Sequence, residues 1–168
     1  MSLTNHDIER ISRKLDLPIV GVFSKDELVL EKPQIGTYHI NLSDSGKAGT
    51  HWTMFKIFSD KDREGASDKT KTSKKETNAL YFDSFGIDMP IEVKNFLKPF
   101  RPITWSNRHI QNVNSEVCGW YNLLLDYALE HRQVGKTYLE DYEKFLESWS
   151  DSTTENTKLL KERFKKIN

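Results

Sequence analysis

Cys118-Gly119-Trp120-Tyr121-Asn122-Leu123-Leu124-Leu125-Asp126-Tyr127-Ala128-Leu129-Glu130 opens on the only cysteine of the chain and continues through a largely apolar run. Trp120, Leu124, Tyr127 and Ala128 recur at helical spacing, with Leu123 and Leu125 beside them, so a helix here is apolar around most of its circumference. The pattern predicts a buried central helix, which the surrounding elements must cover. Upstream, His51-Trp52-Thr53-Met54-Phe55-Lys56-Ile57-Phe58 carries the strongest strand signal, rich in aromatic and β-branched residues. Ala79-Leu80-Tyr81-Phe82-Asp83 reads as its antiparallel return, which places Asp83 near the end where His51 begins.

Further out, Ile19 to Phe23, Glu27 to Leu30, Thr37 to Leu42 and Ile103 to Trp105 read as short strands. Thr4 and Asp7 form a capping-box pattern ahead of Ile8, Ile11 and Leu15, predicting a first helix over 4–16 that Pro18 ends. Asp88 and Pro90 announce a short helix over Ile91 to Leu97, and amphipathic helices are expected over Tyr138 to Trp149 and Ser152 to Ile167. Strands first and helices chiefly at the two ends predict an α+β domain, with a mostly antiparallel central sheet packed on the buried helix. The stretch at about 59–78 has almost no apolar residue and is expected as a solvated insertion.

The 168 residues fit one domain of ordinary size, able to bury a core without staples. A single cysteine forbids a disulfide within the chain and favours a reducing compartment. The first residues lack the pattern of a signal peptide, and no apolar run is long enough to span a bilayer. Lys+Arg 25 balance Asp+Glu 25, so a general affinity for nucleic acid is not expected. Lys69, Lys71, Lys74 and Lys75, with Lys158, Lys161, Arg163, Lys165 and Lys166, form local basic stretches that solvated faces explain and that DNA contact would use if the fold gathered them. His6, His39, His109 and His131 are scattered without zinc-ligand spacing, so neither metal nor cofactor is expected.

Cys118 stands where a loop turns into a helix, and the unpaired N–H groups and dipole of a helix start favour thiolate over thiol. A free cysteine is more often a small buried hydrophobe, so partners decide between the two readings. A cysteine hydrolase needs a histidine to move the proton, an acid to hold the imidazole and donors for the oxyanion. His51, Asp83 and Gln111 fill those roles, with the Cys118 N–H as a second donor. Each alone has a plainer reading: a strand-end packing residue, a turn former before Ser84-Phe85-Gly86, a solvated loop amide.

Together they form a recognisable order. His51-Trp52 at a strand entrance, Asp83-Ser84-Phe85-Gly86 after the next strand, and Gln111 to Gly119 with Asn114-Ser115 before Cys118 resemble the adenain-like viral cysteine proteases. Gln111 lies seven positions before Cys118, as in the adenovirus-type enzymes, and the resemblance covers most of residues 4–130. The compact capsid-maturation proteases of virophages, Polinton-like elements and large DNA viruses are the most similar group. The resemblance implies one cysteine protease domain over 1–168, with catalytic His51, Asp83, Gln111 and Cys118. It also implies that Trp52 lies over glycines of the substrate beside the scissile bond, although strand alternation leaves core packing open for this residue. Asn114 and Ser115 are expected to shape the loop that aims Gln111.

What the resemblance further implies is a monomeric endopeptidase that cleaves capsid precursors at glycine-rich sites, in the virion interior and the host-cell virus factory. A disulfide-linked activating peptide, as adenain uses, is ruled out because no second cysteine exists to hold it. A protease of ubiquitin-like modifiers shares most of these features but usually places its glutamine six positions before the cysteine, where this chain has Asn112. An inactive interaction module of the same fold is the remaining alternative.

Overall fold

The structure is a computed structural model and describes residues 2–59 and 77–167. The expected solvated insertion at 59–78 and the lysines within it lie almost entirely outside the described residues. The chain begins with α1 (Asn5–Lys14), capped as its sequence requires. Thr4 Oγ1 accepts from the Asp7 N–H at 3.2 Å, and Asp7 Oδ2 accepts from the Thr4 N–H at 3.0 Å. The Thr4 N–H and the Thr4 hydroxyl, both donating to Asp7 Oδ2, together with the Arg10 guanidinium hold the Asp7 carboxyl down at about 2.

Five strands follow: β1 (Ile19–Ser24), β2 (Gly36–Asn41), β3 (Trp52–Phe58), β4 (Asn78–Phe82) and β5 (Ile103–Trp105), lying side by side in chain order. Residues 27–30, expected as a strand, form part of a 3-10 turn over Lys25–Leu30 instead. The local chemistry explains the difference. Ser24 and Glu27 make a second capping box, in which the Ser24 N–H donates to Glu27 Oε2 at 2.6 Å and tightens the backbone at that point.

The α+β expectation holds, but the sheet is mixed rather than mostly antiparallel. The inner strands β2, β3 and β4 pair antiparallel, whereas β1 joins β2 and β5 joins β4 in parallel. Parallel neighbours need a crossover. Helix α2 (Ile91–Leu97) supplies it between β4 and β5, and the 3-10 turn lies in the link between β1 and β2. Three further helices complete the chain: α3 (Cys118–Tyr127), α4 (Tyr138–Glu147) and α5 (Thr153–Lys165), with a π-helical turn at Ala128–Arg132 between the first two.

Alternation along β3 divides the core. Trp52, Met54 and Phe58 face one side, with Leu80 and Phe82 of β4, and pack against residues of α1, α3, α4 and α5. Phe55 and Ile57 face the other side with Tyr38, Ile40 and Tyr81, where the 3-10 turn and α2 cover them with Leu28, Val93, Phe96 and Leu97. Every residue of β3 is therefore buried, which is why its sequence reads as a near-continuous apolar run. Helix α3 is the buried central helix that the sequence predicts, with Leu123, Leu124 and Leu125 all inside.

Candidate active site

The entrance of β3, the exit of β4, the chain leading from β5 and the start of α3 meet at one end of the sheet. His51 immediately precedes β3, and its carbonyl accepts from the Leu42 N–H at 2.9 Å. Because Met54 of β3 pairs with Phe82 of β4, the antiparallel register returns Asp83 to the His51 end. His51 Nε2 then lies 2.9 Å from Asp83 Oδ1. The same carboxylate oxygen accepts from the Phe85 N–H at 2.7 Å, so the turn after β4 holds the acid while the acid holds the histidine.

That turn needs Gly86. Its φ is +69°, and a Cβ there would stand 2.4 Å from the Asn107 carbonyl oxygen. A side chain would push away the segment leading to Gln111. Phe85, one residue earlier, lies face to face with the His51 ring at 4.6 Å between centroids and 26° between planes. His109 meets the Phe85 ring edge-on at 5.7 Å.

Cys118 is the first residue of α3, and its sulfur accepts from the Trp52 N–H at 3.3 Å. The sulfur is also close enough to the His51 imidazole to act on its pKa. With Nε2 engaged by Asp83, Nδ1 is the ring nitrogen left for the sulfur. Burial pushes the His51 pKa down, but the Asp83 and Cys118 hydrogen bonds, followed by the charges of both groups, outweigh it and raise the pKa to about 9. His51 is therefore protonated at neutral pH, the state in which it stabilises a thiolate.

Gln111 is buried, and both ends of its amide are fixed. Ser84 Oγ donates to Oε1 at 2.5 Å, and Nε2 donates to the Ser115 carbonyl at 2.6 Å. A primary amide carries two N–H groups, so the second hydrogen of Nε2 remains for a substrate oxygen. The Gln111 backbone is held too: its N–H and that of Ile110 both donate to the Ser84 carbonyl, at 3.0 and 2.9 Å. The Cys118 N–H belongs to the first turn of α3, where the helix itself supplies no acceptor.

The four residues expected to do chemistry are thus brought to one end of the sheet. Trp52 departs from expectation. Its indole is buried in the core, where Nε1–H donates to the Leu3 carbonyl at 2.8 Å. Gly119 permits that packing, since a Cβ there would meet Leu3 Cδ1 at 3.1 Å and Trp52 Cδ1 at 3.4 Å. Strand alternation turned the side chain inward, and residue 3 sealed it, so that the part of Trp52 that reaches the Cys118 sulfur is its backbone N–H. Asn114 enters the loop through its backbone N–H, which donates to Asn112 Oδ1 at 2.9 Å and makes Asn112 a turn-forming side chain.

Sequence reasoning missed two supporting residues, Ser84 and Asn156, and found a third, Ser115, without the means by which it acts. Ser84 had a signal, standing beside Asp83 in the motif, but only the fold brings its hydroxyl to Gln111. Ser115 shapes the loop as expected, its Oγ donating to the Asn112 carbonyl at 2.7 Å, but it aims Gln111 through its own carbonyl, which no side-chain pattern reveals. Asn156 of α5 gave no signal at all. It is buried, and its Nδ2 donates to the Ile110 carbonyl at 3.0 Å, bracing the chain beside Gln111 from a helix that looked like mere cover.

No protein-family model matches the sequence, and no curated protein does. Among solved structures, the chain is similar to the ASFV pS273R protease in a crystal structure of its Se-Met form, with a TM-score of 0.45 and 17% identity, over 89% of this chain and 68% of that one.

Proposed function

We propose that this chain is a cysteine endopeptidase of the adenain type, acting on viral capsid precursors at glycine-rich sites. The observation that carries the catalytic part is the meeting of Asp83, His51 and Cys118, with a 2.9 Å bond from acid to ring and the sulfur held 3.3 Å from the N–H of Trp52, the residue next to His51. In the reaction, Cys118 as thiolate attacks the peptide carbonyl carbon and forms the C–S bond. The carbonyl oxygen takes the negative charge, and Gln111 Nε2–H and the Cys118 N–H are the donors available to it. His51 gives its proton to the leaving amine as the C–N bond breaks, producing a thioester and a neutral imidazole. Water attacks the thioester, His51 takes its proton, and the acid departs as the thiolate and imidazolium return.

The viral substrate class rests on motif spacing. Gln111, seven positions before Cys118, is the buried and oriented amide, whereas Asn112 donates from Nδ2 to Thr154 Oγ1 at an exposed position, 3.2 Å away. That difference favours the adenain type over proteases of ubiquitin-like modifiers. The test is cleavage of a capsid precursor, or of peptides spanning its glycine-rich junctions, by the wild type and by Cys118→Ala and His51→Ala. Both variants are expected to fold and to lose cleavage. An active Cys118→Ala protein overturns the mechanism, and cleavage of ubiquitin-like precursors in preference to capsid sequences overturns the substrate class.

A further inference from the structure

Helix α3 carries a second chemical feature at its far end. Asn122, Asp126 and Glu130 follow at i, i+4 and i+8, a polar stripe on an otherwise leucine-rich helix that continues into the π-helical turn. Asp126 is fully buried, as is His39 of β2, whose Nε2 lies 3.5 Å from Asp126 Oδ2 without the alignment of a hydrogen bond. Thr37 Oγ1 donates to Asp126 Oδ1 at 2.9 Å. Lys56 of β3 donates to Thr37 Oγ1 at 3.3 Å, pairs with Glu130 Oε1 and stands 4.8 Å over the Tyr138 ring. A continuous polar chain therefore joins α3 to β2 and β3 inside the apolar core.

Burying such groups is unfavourable unless they are paired, and replacing them by well-packed apolar residues is often neutral or stabilising. Their physical use is register. Leucines on an apolar sheet tolerate small slides, whereas a carboxylate that must meet one hydroxyl does not. Cys118 lies eight residues before Asp126 on the same helix, about 12 Å along its axis, and His51 opens the strand that carries Lys56. The polar chain thus links the helix of the nucleophile to the strand of its base.

We propose that Asp126 is a positioning residue: through Thr37, Lys56 and Glu130 it fixes the seat of α3 on the sheet, and so the reach from Cys118 Sγ to the His51 ring. The inference rests on the Cys118–His51 pair of the reading above, but its test needs no substrate. The rate of iodoacetamide alkylation is measured against pH in the wild type, Asp126→Leu and Asp126→Asn, with thermal melts alongside. The lone cysteine makes the signal unambiguous. Wild type is expected to show a low-pH limb from the paired thiolate, and Asp126→Leu to lose it, reacting at least about tenfold more slowly at pH 6 and rising only near an ordinary thiol pKa of about 8.5. Asp126→Asn keeps an oxygen acceptor for Thr37 and is expected to recover the limb in part.

If Asp126→Leu fails to fold, Thr37→Val removes the same bond with little change of shape and carries the test. A folded Asp126→Leu or Thr37→Val protein with the wild-type profile overturns the proposal. A wild type without a low-pH limb overturns the Cys118–His51 pair and this inference together. A normal limb with no peptide cleavage defeats only the protease reading and leaves the positioning role standing.

Discussion

Among the described residues are two histidine–aspartate pairs, one at the end of the sheet and one beneath the central helix, and they differ in almost everything but composition. His51 and Asp83 meet at 2.9 Å at the sheet's end, with the histidine side chain 11% exposed and the Cys118 sulfur near enough to act on its pKa. His39 and Asp126 approach only to 3.5 Å under the central helix, both 0% exposed. The first pair has a nucleophile, an oriented ring and a path for solvent or substrate. The second has none of these, and Asp126 spends its better hydrogen bond on Thr37. Residue types therefore do not make a site; access and the third partner do.

Replacing each histidine in turn gives the largest separation of the two pairs. His51→Ala removes the proton carrier and is expected to reduce kcat/KM by about 10³-fold or more, at a cost of no more than the few degrees of melting temperature that its bound proton contributes, because general acid–base groups contribute about 10²–10⁴ to rate and the residue is at the edge of the core. His39→Ala opens a cavity in the interior and is expected to lower stability by about 2 kcal/mol, with less loss of kcat among the molecules that remain folded. Peptide-cleavage kinetics with melts on the same samples check both. Similar profiles for the two variants would break the distinction.

Next in size is the oxyanion donor. Gln111→Ala is expected to lower kcat about 10²-fold with KM nearly unchanged, as loss of one such donor does elsewhere. Gln111→Glu tests the same point by retaining the oxygen that Ser84 grips and removing the N–H. It is expected to be no better than alanine, and a variant with near-wild-type kcat would remove Gln111 from the mechanism.

Asp83→Asn addresses the acid through pH. The folded His51 pKa of about 9 lies above its ordinary 6.5, so the bound proton favours the native state. That contribution is fully present below pH 6.5 and is lost as pH rises through 9. Wild type is therefore expected to lose a few degrees of melting temperature between pH 7 and 10 that Asp83→Asn, already lacking the charged partner, does not lose. Coincident slopes for the two proteins in paired thermal melts would show that Asp83 does not raise the histidine.

Much of this arrangement is visible in the chain because its causes are local. The β3 run, the Thr4–Asp7 cap and the central helix are each set by neighbours within a few residues, and the hairpin register of β3 and β4 carries His51 and Asp83 together. Long-range matters are different. Parallel pairing of β1 with β2 depends on what crosses between them, and the inward turn of Trp52 depends on the carbonyl of Leu3, 49 residues away in sequence. Asp126 stands in an apolar helical run, and its partner Thr37 is 89 residues away in sequence. The quartet of candidate residues was legible as an order of motifs, but the bonds that aim Gln111 were not, since they run through Ser84, the Ser115 carbonyl and the brace from Asn156.

The smallest effect tests whether the His51 ring is oriented by more than Asp83. A single hydrogen bond to Nε2 leaves the imidazole free to swing about that contact, which would carry Nδ1 off the sulfur. Phe85 restricts the swing by lying on the ring face at 4.6 Å, and its own N–H grips Asp83 Oδ1, so one residue steadies both members of the pair. Aromatic pairs of this kind are worth about 1 kcal/mol, which is about a fivefold change in rate if the whole amount is lost in the transition state. Phe85→Leu is accordingly expected to lower kcat about fivefold with KM unchanged, and Phe85→Tyr to retain most of the wild-type rate because the stacked face is kept. His109→Ala, which touches only the edge of Phe85, should change kcat less than twofold on the same argument. Equal rates for Phe85→Leu and wild type would mean that Asp83 alone sets the ring, leaving the sulfur as the whole difference between the two histidine–aspartate pairs.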